Sequence, residues 1–482
     1  MSTTQAKKTA PRASITSRGD LRAVMIIAAP ALAEQFLEFC VGMVDTWLAG
    51  NVLSEANSVP AMAAVSLMAY SCWMLFVICA SVGIGATAVV ARRIGADKWE
   101  EAELATEQAI ALALFFSTIT TVAFWFLAPN YVGAMQLQGQ AYDMALEYLY
   151  ILIPAIPGFM MIAVTTACLH GAGDTVTGLL VMTVVNVLNI SISAALAIGW
   201  GPIPQLGWSG IAIGTSVSHL VGGLLLLAIL FHGRSHLKVR WRGMWPNFPL
   251  MKRLLSIGLP GGANDAMVLV CHLWYLSIIN SLGTTQAAAH GLAIRIESPG
   301  YLSAWAFSVA AAALTGQHLG ANNPQRATRA TLVSMTICVS MLSLYALFVA
   351  VNGPWLAGFF LGFPNETTES FATGQAVVKI VGIMALCLPF LAMFSVTSGA
   401  LRGAGDTTWP LLITIIGFLL IRVPLAYWLS WQEFTIPGTS YIVTGMNWGL
   451  TGAWLAMLID TLVRAALILA RYWHGAWKRI EV

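Results

Sequence analysis

Three carboxylates, Glu34, Glu38 and Asp45, fall in the stretch EQFLEFCVGMVD at residues 34–45, which otherwise reads like the middle of a membrane helix. At 100° per residue they point to about 0°, 40° and 20° around a helix axis, so they form one stripe about 16 Å long. A charged side chain at bilayer depth costs about 2.5–3.5 kcal/mol on insertion scales, so three on one face imply a water-filled or polar-lined interior. Like charges in a low dielectric favour partial protonation. The chemistry on offer is uptake and release of protons or other cations; neutralisation by hydroxyls and amides of neighbouring helices is the structural alternative.

Further polar residues sit in equally apolar surroundings. Asn186, Asn189 and Ser193 repeat at helical spacing, and Thr215 follows a run of small residues; such groups often only join helices to one another. In the second half of the chain Asp265 and His272 lie on one apolar segment, and His290 and Glu297 share a face of the next, with Arg295 as the expected ion-pair partner. Asp460 and Arg464, four apart, read as an intrahelical ion pair. Asp143 and Glu147 suit a helix N-terminus.

The elements that must position these groups follow from composition. The chain of 482 residues is 58% hydrophobic and 9% charged, with a mean hydropathy of +0.77. That composition predicts an all-α polytopic membrane protein. Twelve apolar runs are long enough to cross about 30 Å of hydrocarbon, near residues 23–50, 60–90, 104–128, 141–168, 175–199, 209–232, 252–281, 286–315, 327–352, 371–400, 408–430 and 447–474. With both termini cytoplasmic, 20 of the 24 basic residues fall in inside segments, and Arg295, Lys379, Arg422 and Arg464 fall within spans. That bias is the positive-inside pattern.

The two halves repeat. IGADKWEEAELAT at 94–106 answers LGANNPQRATRAT at 319–331, LHGAGDTVTGLL at 169–180 answers LRGAGDTTWPLL at 401–412, GWSGIAIGT at 207–215 answers GLTGAWLAM at 449–457, and Pro30 answers Pro260. The offsets are 225, 232, 242 and 230, and six spans separate equivalents, so the halves share one orientation, related by an axis along the membrane normal. The resulting division is a cytoplasmic tail at 1–22, an N-lobe at 23–232, a basic linker at 233–251, a C-lobe at 252–474 and a second tail at 475–482. The paired GAGDT segments predict a tight inside turn whose Asp caps the next helix.

Much is excluded. Basic residues lie in short separate clusters rather than on one face, so nucleic acid is not an expected partner. The seven cysteines lie in apolar segments without a CxxC pair and read as packing residues. No P-loop, HExxH or suitably placed GxSxG occurs, so an enzyme is not expected, and neither a cofactor nor a resident metal. With no ATPase domain, transport would draw on an ion gradient. The polar first 20 residues and the long apolar run after them do not read as a signal peptide.

Taken together, VDTWLAG at 44–50, ARRIGADKWEEA at 91–102, the HGAGDT and RGAGDT turns, LNI at 188–190, the GxxG segment ending in Thr215 and RVPL at 422–425 resemble the multidrug and toxic compound extrusion (MATE) family. The resemblance spans about residues 20–475. It implies twelve helices in two pseudo-symmetric six-helix lobes forming a V, in the inner membrane of a bacterium, working as a monomer. It implies export of small organic cations in exchange for H⁺ or Na⁺. The family's first-helix acid falls on Asp45, its helix-5 Asn on Asn189 and its helix-6 Thr on Thr215, which would be the Na⁺ ligands if Na⁺ is the coupling ion. A second helix-5 Asp of the pattern falls on Ser193, which removes a negative charge. The seventh-helix Glu of a sodium-linked branch falls near Val268, with Asp265 a turn early. The resulting expectation is a proton-coupled exporter with Asp45 leading, Glu34 and Glu38 assisting, and Asp265, His290 and Glu297 as secondary candidates.

Two other functions compete. A lipid or lipid-linked saccharide flippase of the same superfamily would need cationic residues lining its cavity, and a non-transporting receptor or scaffold would not need the acidic stripe.

Overall fold

The computed structural model describes residues 19–51, 55–135, 139–202, 204–233, 237–361, 369–435 and 441–482. Lys7, Lys8, Arg12 and Arg18 of the expected N-terminal tail and Arg234 of the linker lie outside these. Twelve long helical stretches follow one another: α1 (Asp20–Asn51), α2 (Glu55–Gly95), α3 (Trp99–Ala134), α4 (Gln140–Ala172), α5 (Thr175–Ile198), α6 (Trp208–His232), α7 (Phe248–Asn280), α8 (Thr284–Gly320), α9 (Pro324–Val351), α10 (Glu369–Gly403), α11 (Thr408–Ser430) and α12 (Gly449–His474). A short helix, Gly353–Leu361, follows α9. Between α11 and α12 the β-branched and aromatic residues of Glu433–Thr435 and Ile442–Thr444 pair as a small antiparallel hairpin, β1 and β2, which the span pattern does not anticipate.

Eleven of these stretches are long and apolar enough to cross a membrane. The remaining one is α8, expected as the eighth span. It carries His290, Arg295 and Glu297, and it packs against α1, α2, α9 and α10, so protein rather than lipid surrounds much of it. Enclosure of that kind is what lets a helix of such polarity sit among apolar neighbours.

Local chemistry fixes the ends. Glycines 173, 199, 233 and 475 take left-handed backbone where α4, α5, α6 and α12 stop. Asp174, Asn247 and Asn323 accept the N–H of Thr177, Leu250 and Arg326 at the starts of α5, α7 and α9. The repeat is visible in the backbone itself. Asp97 and Asn322, 225 residues apart in the sequence copies, have φ of 59° and 55°, and Gly173 and Gly405, at the 232-residue offset, have φ of 83° and 88°.

The lobes exchange the first turns of their first helices. Ala23, Val24, Ile27 and Ala28 of α1 are buried in a core built from α8, α9, α10 and α12, and Asp20 pairs with Arg329 of α9 at 2.7 Å. Reciprocally, Leu254 and Ile257 of α7 are buried in the α2–α6 core. Glycine makes this seam close. Added Cβ atoms at Gly85 and Gly258 would collide with the carbonyls of Leu254 and Ser81, and at Gly95 and Gly320 with those of Gln317 and Arg92. These contacts lie toward the arginine-rich end of the bundle. There Arg92 also donates to the carbonyl of Ile480, and Trp477 is fully buried and stacked on Tyr472 at 4.9 Å, so residues 475–482 pack under the bundle.

The linker is fastened too. Gln108 of α3 donates to the carbonyls of Gly243 and Trp245 at 2.6 and 2.9 Å and accepts the N–H of Asn247 at 2.7 Å. Glu107 accepts the N–H of Arg240 at 2.6 Å.

Closure by glycine predicts a sharp contrast. Gly258→Ala is expected to lower stability by about 1–3 kcal/mol through overpacking, whereas Gly382→Ala, with nothing near its missing Cβ, is expected to be neutral or stabilising by up to about 1 kcal/mol. Thermal melts of the two variants in one detergent check this.

Candidate functional site

The first site is built where α1, α4, α5 and α6 meet. Gly210 and Gly214, one turn apart on α6, leave no room for side chains against Leu196 and Ser193 of α5, and this small-residue approach brings the two helices together. Asn189 and Ser193, one turn apart on α5, therefore face Thr215 of α6. Asp45 of α1 completes the group. Its Oδ2 accepts the Thr215 hydroxyl at 2.6 Å and the Tyr148 hydroxyl at 3.1 Å, and its Oδ1 accepts the Asn189 amide at 3.4 Å. The Asn189 amide also donates to Thr215 at 2.9 Å and to Ser193 at 3.4 Å.

Asp45, Asn189, Ser193 and Thr215 are all buried. Among the described residues no cationic side chain balances Asp45 directly: three neutral donors do. Neutral donors stabilise the carboxylate while leaving it able to accept a proton, as a permanent guanidinium partner would not. The Asn189 Oδ1 is buried without a partner. A carboxylate, two hydroxyls and a spare amide oxygen can hold one proton or one small hard cation. Among the described residues no cluster of three His, Cys, Asp or Glu suits a metal ion.

The stripe divides. Glu34 and Glu38 are not part of the Asp45 group and instead line an open cleft between the lobes, together with His170, Trp305, Asp265 and Arg402. Glu34 meets the His170 Nε2 at 3.0 Å, both buried, and Gly178 of α5 is the neighbour whose missing side chain gives the carboxylate room. Glu38 accepts the Gln35 amide at 3.0 Å. From the C-lobe, Asp265 accepts Arg402 at 3.0 Å and Asn264 at 2.9 Å.

The other candidates lie apart from both groups. His290 sits edge-on between Tyr275 and Trp454, with ring centroids 5.9 and 5.6 Å away. Glu297 is half-buried on the same helix, while Arg295 is exposed and faces away from it. The Asp460–Arg464 pair is present at 2.8 Å and is joined by Arg422 at 2.7 Å, which a π-helical stretch, Ile416–Arg422, turns inward. Of the residues facing the carboxylates, sequence reasoning singled out neither Tyr148 nor His170, and it counted Arg402 only as a topology marker. The paired turns held the one available signal, since His170 and Arg402 occupy the same place in the two GAGDT copies.

The MatE family model matches residues 30–195 and matches again at 263–428. The chain belongs to the MatE family. Its two matches, offset by 233 residues at each end (263 minus 30, 428 minus 195), are the two lobes. Members of the MatE family are transporters, not enzymes. Similar proteins include the probable multidrug resistance protein NorM of Thermotoga maritima, 29% identical over 461 residues that cover 95% of this chain and 93% of that one. Another is the multidrug resistance protein PmpM of Pseudomonas aeruginosa, 26% identical over 469 residues covering 93% and 92%. Two solved MatE-type structures share the fold, each with a TM-score of 0.85 and covering 98% of this chain and all of the other: MATE in complex with MaL6, 20% identical, and an outward-facing multidrug resistance MATE transporter, 21% identical.

The neutral donors around Asp45 should be energetically coupled to it. Thr215→Val is expected to destabilise the protein by about 1.5–3 kcal/mol, the range for a hydrogen bond to a charged group. In an Asp45→Asn background the same substitution should cost clearly less, and a double-mutant cycle of melting or denaturant midpoints measures the difference.

Proposed function

We propose that this chain exports small organic cations, drugs among them, across a bacterial inner membrane in exchange for protons, by alternating access of a cleft between its two lobes. The observation that carries the reading is Asp45, a buried carboxylate held by hydroxyls and an amide from three other helices with no fixed countercharge. Donors from other helices favour the carboxylate form, so proton uptake at Asp45 would be coupled to how α1 sits against α5 and α6. The multidrug resistance names of relatives that align along almost the whole chain support the cargo.

In this reading a proton from the outside neutralises Asp45, loosens α1, and accompanies release of the cation outward. Glu34 and Glu38 give the cleft its negative lining, which favours cationic cargo. The protein works as a monomer with both termini in the cytoplasm, as its basic residues suggest. Na⁺ is the alternative coupling ion, favoured by the spare Asn189 oxygen beside two hydroxyls. A flippase for anionic headgroups is disfavoured, because Arg402, the guanidinium lining the cleft, is already paired with Asp265.

Reconstituted liposomes holding a fluorescent organic cation decide between these. With an imposed pH gradient and no Na⁺, the wild-type protein is expected to move the dye and Asp45→Asn to leave it at background. Movement only after Na⁺ is added assigns the coupling to Na⁺; equal movement by the variant removes Asp45 from the mechanism.

A further inference from the structure

The cleft holds two acid–base pairs at closely matching places in the two lobes, Asp265 standing one residue beyond the 230-residue counterpart of Glu34, and they differ in one chemical respect. In the N-lobe, Glu34 of α1 meets His170, the residue just before the GAGDT turn, at 3.0 Å. In the C-lobe, Asp265 of α7 meets Arg402, the residue just before the second copy of that turn, at 3.0 Å. Each pair ties the first helix of its lobe to the end of the fourth. An arginine stays charged at every pH a cell meets, so the C-lobe pair is fixed. An imidazole, unlike a guanidinium, also exists as a neutral group, so the charge of the N-lobe pair is not fixed.

We propose that His170 carries a proton that an organic cation displaces from the cleft, making the Glu34–His170 pair a second proton site distinct from Asp45 and the place where cation and proton compete. This rests on the antiport reading above and adds a residue and a location to it.

Competition for one carboxylate supports the assignment. Glu34, Glu38 and Asp265 face the same space as one permanent cation, Arg402. A protonated His170 supplies one further positive charge there, and a monovalent organic cation beside Glu34 and Glu38 supplies the same charge. Both cations are drawn to the same carboxylate, Glu34, which His170 already faces at 3.0 Å, so each raises the cost of placing the other beside it. The groups facing His170 from each neighbouring helix are Glu34 and Glu38 on α1, Asp265 on α7 and Arg402 on α10, with Asp174 capping the adjacent α5. On α2 the lining side chains are the uncharged Ile84 and Thr87, and on α8 they include Trp305 and Ser308.

The cleft also provides a surface for the cation. Trp305 comes from the opposite lobe and lies edge-on to His170 with ring centroids 6.5 Å apart. Its indole face is the kind of wall on which organic cations stack. When the cation arrives, the proton shared between the His170 Nε2 and the Glu34 Oε2 leaves for water in the cleft, and the carboxylate it leaves behind faces the cation.

Isothermal titration of the full-length detergent-solubilised protein with tetraphenylphosphonium, at several pH values from roughly 5.5 to 8, tests this. Two buffers of different ionisation enthalpy count the protons released. For the wild type, affinity is expected to rise about tenfold per pH unit across the titration of one displaced proton, with about one proton released per cation. His170→Gln should bind tightly with that slope and proton release gone. His170→Arg, which copies the C-lobe pair, should bind weakly at every pH. Should His170→Gln fail to purify as a monodisperse protein, Glu34→Gln is read instead, again for loss of the slope. An unchanged slope and proton count in His170→Gln overturns the proposal, as does a wild-type protein that binds the cation independently of pH or not at all. If these binding results hold while wild-type liposomes show no proton-driven transport, it is the antiport reading that fails and the cleft assignment stands.

Discussion

A carboxylate inside an apolar helical bundle must find donors or a cation, because the alternative is an unpaired charge far from water. Much of the arrangement of the N-lobe answers to that requirement. Glycines on α6 bring Thr215 against α5, α5 presents Asn189 and Ser193 on one face, and α4 contributes Tyr148, so four helices meet around one carboxylate. The same rule operates around Glu34, where a histidine takes the place of hydroxyls, and around Asp460, where two arginines do. The partners differ in whether they can release a charge. Hydroxyls and amides bring no charge and histidine has a neutral form, whereas arginine is always charged.

The two lobes are copies in backbone and not in chemistry. Matching left-handed residues at Asp97 and Asn322, and at Gly173 and Gly405, show how closely the main chain repeats. At the offset that relates Pro30 to Pro260, however, Asp45 answers to Tyr275, and in the paired turns His170 answers to Arg402. At that turn the N-lobe therefore carries a residue that can be neutral where the C-lobe carries a fixed cation. The exchanged starts of α1 and α7 carry this asymmetry into the seam, since each first helix is anchored in the opposite lobe at one end and bears its own lobe's acid further along.

The helical architecture was legible from periodicity and composition, because crossing a membrane demands apolar runs of a set length, whereas the hairpin between α11 and α12 left no mark in that pattern. Where α8 departs, the reason is physical: His290 is buried and Glu297 half-buried on a helix packed against α1, α2, α9 and α10, so burial in protein takes the place of apolarity there, while Arg295 stays exposed. The Asp45 group was half legible. Asn189, Ser193 and Thr215 stood out as polar residues in apolar runs, but Tyr148 did not, since a tyrosine near a helix end reads equally well as an interfacial anchor.

By itself the sequence determined the spans, the repeat and the presence of carboxylates at membrane depth, all of which are properties of one segment or of two segments compared. Only the tertiary structure decided which carboxylate belongs to which site. On a single helix Glu34, Glu38 and Asp45 share one stripe, yet that stripe runs past different neighbours along its length: His170 and the inter-lobe cleft beside the two glutamates, hydroxyls and an amide around the aspartate. Partners drawn from positions 100 to 170 residues away are set by how helices cross, and no spacing along the chain records that.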